Sequence, residues 1–172
     1  MICYTLAYLD RVNVSFAKIQ MISDLGISET AYGLGAGIFF IGYFIFEVPS
    51  NYLLVKIGPS RWLGFLMVVW GLLSACTMFI DSAKQYYVLR FFLGAAEAGF
   101  FPGVIYYLLE WYPSYKRAKV TAIFFSATAF SGIFGGPISG FIMDVFSQYN
   151  YDGWRMLFLI EGIPTVILGF MA

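Results

Sequence analysis

The stretch Arg90-Phe-Phe-Leu-Gly-Ala-Ala-Glu97-Ala-Gly-Phe-Phe-Pro102-Gly103 sets two opposite charges inside a segment otherwise apolar enough to cross a bilayer. Each ionised group at the centre of a spanning helix costs about 2.5 to 3.5 kcal/mol on insertion scales, so such residues face a protein interior or an aqueous cavity. At about 100° per residue, Glu97 returns to the helical face of Arg90, about 10 Å further along the axis. Gly94 lies between them on that face and leaves room for a ligand or another backbone.

The rest of the chain has the same character. It is 60% apolar and 12% charged, with no histidine. A soluble domain carries about a quarter charged residues. Apolar runs of about 20 residues recur, the length that crosses about 30 Å of hydrocarbon, so the expected fold class is an all-α membrane protein with the lipid bilayer as its surroundings. A formal net charge of +0 gives no reason to expect nucleic acid as a partner. Cys3 and Cys76 lie in apolar runs without CxxC spacing and read as packed or lipid-facing bystanders. Met1 opens on an apolar run without a cationic leader, so no secretory signal is expected. The first span reads as cut short and Ala172 falls inside an apolar segment, as in a piece of a longer protein.

Six spans are expected, at about 1–20, 31–55, 61–79, 85–109, 118–146 and 154–172, in one domain covering 1–172. Ser23, Asp24, Ser28, Glu29 and Thr30 form the first polar loop, with Ser28 as N-cap and Ala31 opening the second helix. Gly33, Gly35, Gly37 and Gly42 in the second span suit close helix contact. Pro137, among Gly132, Gly135, Gly136 and Gly140, predicts a kink or break in the fifth span. Lys56, Arg61, Lys116, Arg117 and Lys119 crowd the second-to-third and fourth-to-fifth connections, whereas Lys18, Lys84 and Arg155 mix with acids on the other side. The positive-inside rule then puts both termini in the cytoplasm. Tyr86, Tyr87, Trp111, Tyr112, Tyr149, Tyr151 and Trp154 near span ends are expected as interfacial anchors.

Candidate chemistry begins with Tyr8, Asp10, Arg11 and Asn13. Arg11 shares a helical face with Tyr8, and its fork matches a carboxylate bidentately; the bland reading is a helix-end charge that snorkels to the interface. Arg90 could reach outer-side water, but Glu97 is some twelve residues from either span end, and a carboxyl held at that depth is suited to binding and releasing a proton. Tyr43 either offers a hydroxyl to a cavity or packs in the core. Glu47 either caps a gate or pairs with a loop cation, and Glu161, beside Gly162 and Pro164, reads as structurally paired at a kink. Ser126, Thr128 and Ser131 either line a cavity or bond to their own helix. There is no Walker loop, dinucleotide fingerprint, metal-spaced histidine or cysteine set, or nucleophile with a base, so neither an enzyme nor a cofactor is expected.

Four motifs carry a family resemblance: Tyr8-Leu-Asp10-Arg11-Val-Asn13, Glu47-Val-Pro-Ser-Asn51, Arg90 to Glu97 with Phe101-Pro102-Gly103, and Gly153-Trp154-Arg155 with Glu161-Gly-Ile-Pro164. Together they make the chain resemble the N-terminal six-helix half of a major facilitator superfamily transporter, in the anion:cation symporter family. The resemblance implies proton-coupled symport of a small organic anion by alternating access in the plasma (inner) membrane, with a C-terminal six-helix half missing from this chain. It implies that Arg11 binds the carboxylate with Tyr8 and Tyr43, that Asp10 and Glu97 couple protons, and that Arg90 answers the charge of Glu97. Gly94, Gly99 and Gly103 are then the surface by which the fourth span approaches the first. The superfamily turn Gly-x-x-x-Asp-Arg/Lys-x-Gly is altered, since Asn51 and Val55 replace the first glycine and the aspartate while Lys56 and Gly58 remain. That leaves Glu47, Lys56 and Arg61 as gating or structural residues. Gly135-Gly-Pro137 resembles an antiporter-associated motif and equally suits packing. The alternative is a non-transporting membrane fragment, or an anion-binding half-module that needs a partner half.

Overall fold

The computed structural model describes residues 2–149 and 152–171, and side chains from residue 5 onward; the readings placed on Met1, Cys3, Tyr151 and Ala172 lie outside them. The described elements are helical: α1 (Ile2–Leu25), α2 (Glu29–Ile57), α3 (Pro59–Cys76) followed by a 3-10 turn at Thr77–Phe79, α4 (Ala83–Glu97), α5 (Phe100–Trp111), α6 (Ser114–Gln148) and α7 (Gly153–Met171). Because α4 and α5 continue one another, these make six rods. Five of the rods are long and apolar enough to cross a membrane. The exception is α1, where Asp10, Arg11 and Lys18 fall inside any bilayer-length stretch of its 24 residues.

Local chemistry explains most boundaries. Ser28 caps α2, its Oγ accepting from the Ala31 amide at 3.1 Å. The first helix outruns its expected end and takes in Ser23 and Asp24, stopping only at Gly26, whose φ of 59° lies in the left-handed region that glycine enters without penalty. Gly58 at φ 99° separates α2 from α3, and Pro59 then occupies the first turn of α3, where its missing N–H costs nothing. Of the kink or break expected at Pro137, the break does not occur; α6 runs unbroken through it. The interruption falls instead in the fourth span. Pro102 cannot donate to the Ala98 carbonyl and its ring crowds that group, so the helix is reset at Ala98-Gly99, just after Glu97.

The dominant pairings are α2 with α4, α3 with α7 and α1 with α6, and α7 also lies against α1 and α6. Small residues permit the first two. A Cβ on Gly42 would strike the Phe91 carbonyl, and one on Gly94 would strike the Phe39 carbonyl, so α2 and α4 touch backbone to backbone. Gly162 and Gly169 do the same for α7 against Gly71 and Gly64 of α3. This corrects the expected role of the fourth-span glycines. Gly94, Gly99 and Gly103 meet Phe39, Ser50 and Leu54 of α2, with Leu63 and Leu66 of α3, rather than the first span. Gly33 and Gly37 have nothing within 4 Å, so only Gly35 and Gly42 of the second-span set serve close contact. Gly135 and Gly136 pack on Leu9, Val12 and Phe16 of α1.

Two apolar clusters fill the interior. One gathers Phe39, Met67, Trp70, Leu93 and Phe100, the other Met21, Tyr32, Tyr86, Trp154 and Leu157. Two expected interfacial anchors therefore belong to the core. Tyr86 stacks on Tyr32 at 5.4 Å between ring centres, and Trp154 is fully buried with its indole N–H on Asp24 at 2.6 Å. Trp111, Tyr112 and Tyr149 are exposed, as anchors would be.

Candidate functional site

Between the two clusters lies a polar layer. Asp10 and Asn13 follow Ala7 and precede Val14 on α1, and Arg90 lies between Tyr86 and Leu93 on α4, whereas Glu97 sits among Leu93, Ala96 and Phe100 of the first cluster and closes α4 at the Ala98-Gly99 interruption. The central contact joins residues 86 apart in the chain: the Nε of Arg11 donates to Oε2 of Glu97 at 2.6 Å. This is a charge-assisted bond, short and strong. Glu97 is buried, whereas the Arg11 side chain keeps 37% of its surface accessible, so the pair is open on the arginine side. The guanidinium carbon stands 5.4 Å from the Tyr43 ring centre and 5.7 Å from that of Phe39. Such contacts favour a cation electrostatically and hold its plane.

A recess of about 190 Å³ opens on this pair, lined by Ala7, Tyr8, Arg11, Tyr43, Glu97, Phe100 and Phe101. All three residues proposed from sequence to bind an anion thus share one wall with Glu97. Phe100 and Phe101 were not foreseen. They lie three and four residues beyond Glu97 and so share its helical face, a spacing that the sequence already carries.

Asp10 is turned away from this recess. It is buried and accepts from Ser74 Oγ of α3, with Trp70 and Arg90 as further polar neighbours. Asn13 Oδ1 accepts from Ser139 of α6 at 2.5 Å. Arg90 lies over the Phe39 ring at 4.9 Å, and its Nε is buried without a hydrogen-bond partner. The residue hydrogen-bonded to Glu97 is Arg11 from another helix, while Arg90, which the resemblance implies answers the charge of Glu97, acts on it electrostatically without a hydrogen bond. A shared face brings Arg90 near, but the two helical turns between them leave the shorter reach to α1. Ser74 and Ser139 were missed because a lone serine in an apolar run carries no signal until its cross-helix partner is known.

The remaining candidates are dispersed. Ser126 and Thr128 bond to the carbonyls of Ile123 and Phe125, both at 2.7 Å, and Ser131 donates to Ala127 and across to Thr5 of α1, each at 2.9 Å. Among the described residues Glu47 makes no ion pair with a loop cation; it stays one turn from Tyr43. Lys56 and Arg61 are exposed at the α2–α3 turn, with Arg61 on a separate recess that also holds Glu110. Arg117 caps the end of α5 through the Leu109 and Tyr112 carbonyls, both at 2.8 Å. Glu161 is not structurally paired as expected, for both its carboxylate oxygens are buried without a hydrogen-bond partner. The α7 cation, Arg155, lies nearly two turns away and is engaged by Asp81 and Asp152. No group of histidine, cysteine, aspartate and glutamate among the described residues could hold a metal ion.

The family model described as Major Facilitator Superfamily matches residues 1–172. A protein named for metabolite transport, NicT of Pseudomonas putida, is 58% identical over 170 residues, covering 98% of this chain and 39% of its own length. A protein of Agrobacterium vitis named for tartrate transport is 51% identical over 169 residues, covering 98% and 39%. The solved structure of a bacterial homologue of the human lysosomal transporter Spinster, inward-facing and unoccupied, superposes with a TM-score of 0.83 at 21% identity, covering 99% of this chain and 40% of that one; it shows the fold. The chain thus spans about 39% of the length of these relatives. With its six-rod architecture, the family match identifies the chain as part of a multi-pass membrane protein of the Major Facilitator Superfamily, a family of transporters and not of enzymes.

Proposed function

We propose that this chain is the N-terminal half of a proton-coupled symporter of a small organic carboxylate, of the anion:cation symporter type, with both ends of the six-helix unit on the cytoplasmic side of the plasma (inner) membrane. The observation that carries the reading is the ion pair of Arg11 with Glu97 on the wall of a recess shared with Tyr8 and Tyr43. Arg11 has one carboxylate partner inside the protein and one accessible side. A substrate carboxylate docking there competes with Glu97 for the same guanidinium. Protonating Glu97 removes its charge and releases Arg11 to the substrate, so proton and anion each favour the binding of the other. The loaded state then carries less uncompensated charge through closure. Asp10, beside Arg90, acts as the second proton-coupling acid of this scheme, and a second six-helix unit supplies the facing wall, since substrate sites of such transporters lie between two halves. A dicarboxylate such as tartrate is a suitable cargo, in keeping with the name of the Agrobacterium vitis relative.

The test is uptake of a panel of carboxylates, tartrate included, into vesicles holding the full-length gene product, with and without a protonophore. Raising pH ionises Glu97, restores its bond to Arg11 and weakens anion binding, so affinity falls with rising pH in the native protein. Glu97→Gln abolishes gradient-driven accumulation, spares exchange and flattens the pH dependence. Normal concentrative uptake by Glu97→Gln protein would sink the coupling role.

A further inference from the structure

Glu161 is a buried acid that the exchange between Arg11 and Glu97 does not use. It lies on α7, 8% exposed, and neither carboxylate oxygen has a hydrogen-bond partner. Its depth is set by its neighbour. Gly162 packs onto the Gly71 carbonyl and the Ala75 amide of α3, which brackets Ser74, the residue whose hydroxyl donates to Asp10. Asp10 itself keeps a second oxygen, Oδ2, buried and without a partner. The two acids thus lie on helices that pack on one another and against the same stretch of α3, and neither lines the anion recess.

Among the described residues no cation answers Glu161. Of the elements packed on α7, α3 carries only Arg61, at its opposite end, and α6 has its cations at its start and Asp144 near its far end. On α1, Arg11 is turned to Glu97, Lys18 pairs with Glu29, and Asp24 accepts from Trp154. On α7 itself, Arg155 is held by Asp81 and Asp152. The charged group that acts on Glu161 is Asp10, an acid; the cations that act on Asp10 are Arg90 and, less strongly, Arg11, and Asp10 also acts on Glu97. With Arg11 bonded to Glu97, Arg90 is the cation left to balance Asp10, and Glu161 cannot ionise as well without an uncompensated buried charge.

We propose that Asp10 and Glu161 form an acid pair inside the six-helix unit that binds one proton at rest, Glu161 holding it while Asp10 faces Arg90 and Ser74 ionised and takes up a proton only in the loaded state of the symport cycle. The pair is a proton site distinct from Glu97 and does not open on the anion recess. It deepens the symport reading by giving Asp10 a partner, although proton binding by the pair does not require that reading to hold.

The experiment is infrared spectroscopy of the full-length gene product in lipid at neutral pH, following the C=O stretch of protonated carboxyl groups. A protonated-carboxyl band should persist in Glu97→Gln protein and be lost in Glu161→Gln protein. Asp10→Asn should shift that band without removing it, and it serves as the readout if Glu161→Gln protein does not fold. A band unchanged by both the Glu161 and the Asp10 substitutions would overturn the proposal, as would a band bleached by sodium at constant pH, which would make the pair a metal-cation site. Vesicle uptake measured alongside separates the two ideas: absent proton-driven uptake with the Glu161-dependent band intact removes symport and leaves the pair standing.

Discussion

At the residue scale the site turns on one guanidinium with two suitors. Arg11 holds Glu97 at 2.6 Å and keeps a side open to the recess. An arginine fork can bond a carboxylate through two parallel N–H groups and stack on aromatic faces, whereas a lysine offers only a compact charge. Arg11→Lys therefore keeps the charge balance with Glu97 but loses the fork and the contacts to Tyr43 and Phe39. A lost charge-assisted hydrogen bond is worth roughly 1.5 to 3 kcal/mol, so the anion dissociation constant should rise about tenfold to a hundredfold while proton coupling survives. Titration calorimetry with the transported anion checks this, and an unchanged affinity would show that Arg11 does not touch the cargo. The acids and arginines were visible in the chain as costly charges in apolar runs. Their partnership was not, because spacing along one helix tells which residues share a face and nothing about which neighbouring helix lies against it. Arg90 and Glu97 share a face, yet Glu97 bonds to α1.

At the scale of elements, glycine determines how near the helices come. The fourth span lies directly on α2 because Gly42 and Gly94 let backbone meet backbone, and this contact sets the height of Glu97 relative to Tyr43. A methyl group at Gly94 would strike the Phe39 carbonyl, an atom that cannot rotate aside, so Gly94→Ala must part the two helices. Overpacking of this kind costs about 1 to 3 kcal/mol. The expected outcome is a lower thermal midpoint in detergent, read by the loss of the monodisperse chromatographic peak on heating. Gly33→Ala, where 4 Å of open space surrounds the position, is the control and should leave the midpoint unchanged. Helix ends were largely legible: the Ser28 cap and the Gly58-Pro59 turn follow from local chemistry alone. Proline was the harder residue to read. Pro137 is absorbed by a continuous α6, whereas Pro102 resets the fourth span beside Glu97. Sequence shows the missing donor in both cases, but whether the rod is interrupted depends on the packing around it.

At the scale of the whole molecule, charge asymmetry between loops predicts orientation. The helix ends flanking the turns after α2 and α5 carry Lys56, Arg61, Lys116, Arg117 and Lys119, while Asp81 and Lys84 flank the turn between α3 and α4. With Cys3 and Cys76 replaced by alanine, a cysteine introduced at exposed Ser82 should react with an impermeant thiol reagent applied to intact cells. One introduced at exposed Lys119 should react only after permeabilisation, and the reverse pattern would invert the topology. The sequence by itself determined that this is a helical membrane protein with a few charges at bilayer depth, because hydrocarbon penalises exposed backbone and charge so heavily that composition and run length suffice. It also determined which residues pay that cost: Asp10, Arg11, Arg90, Glu97 and Glu161. Only the tertiary structure decided how they divide, with Arg11 and Glu97 on the recess, Asp10 bonded to Ser74 of α3, Glu161 buried on α7 without a hydrogen bond, and Arg90 over the Phe39 ring. The reason is physical: burial cost belongs to each residue alone, whereas pairing depends on distances between helices, and those are set by the glycines and by the reset after Glu97.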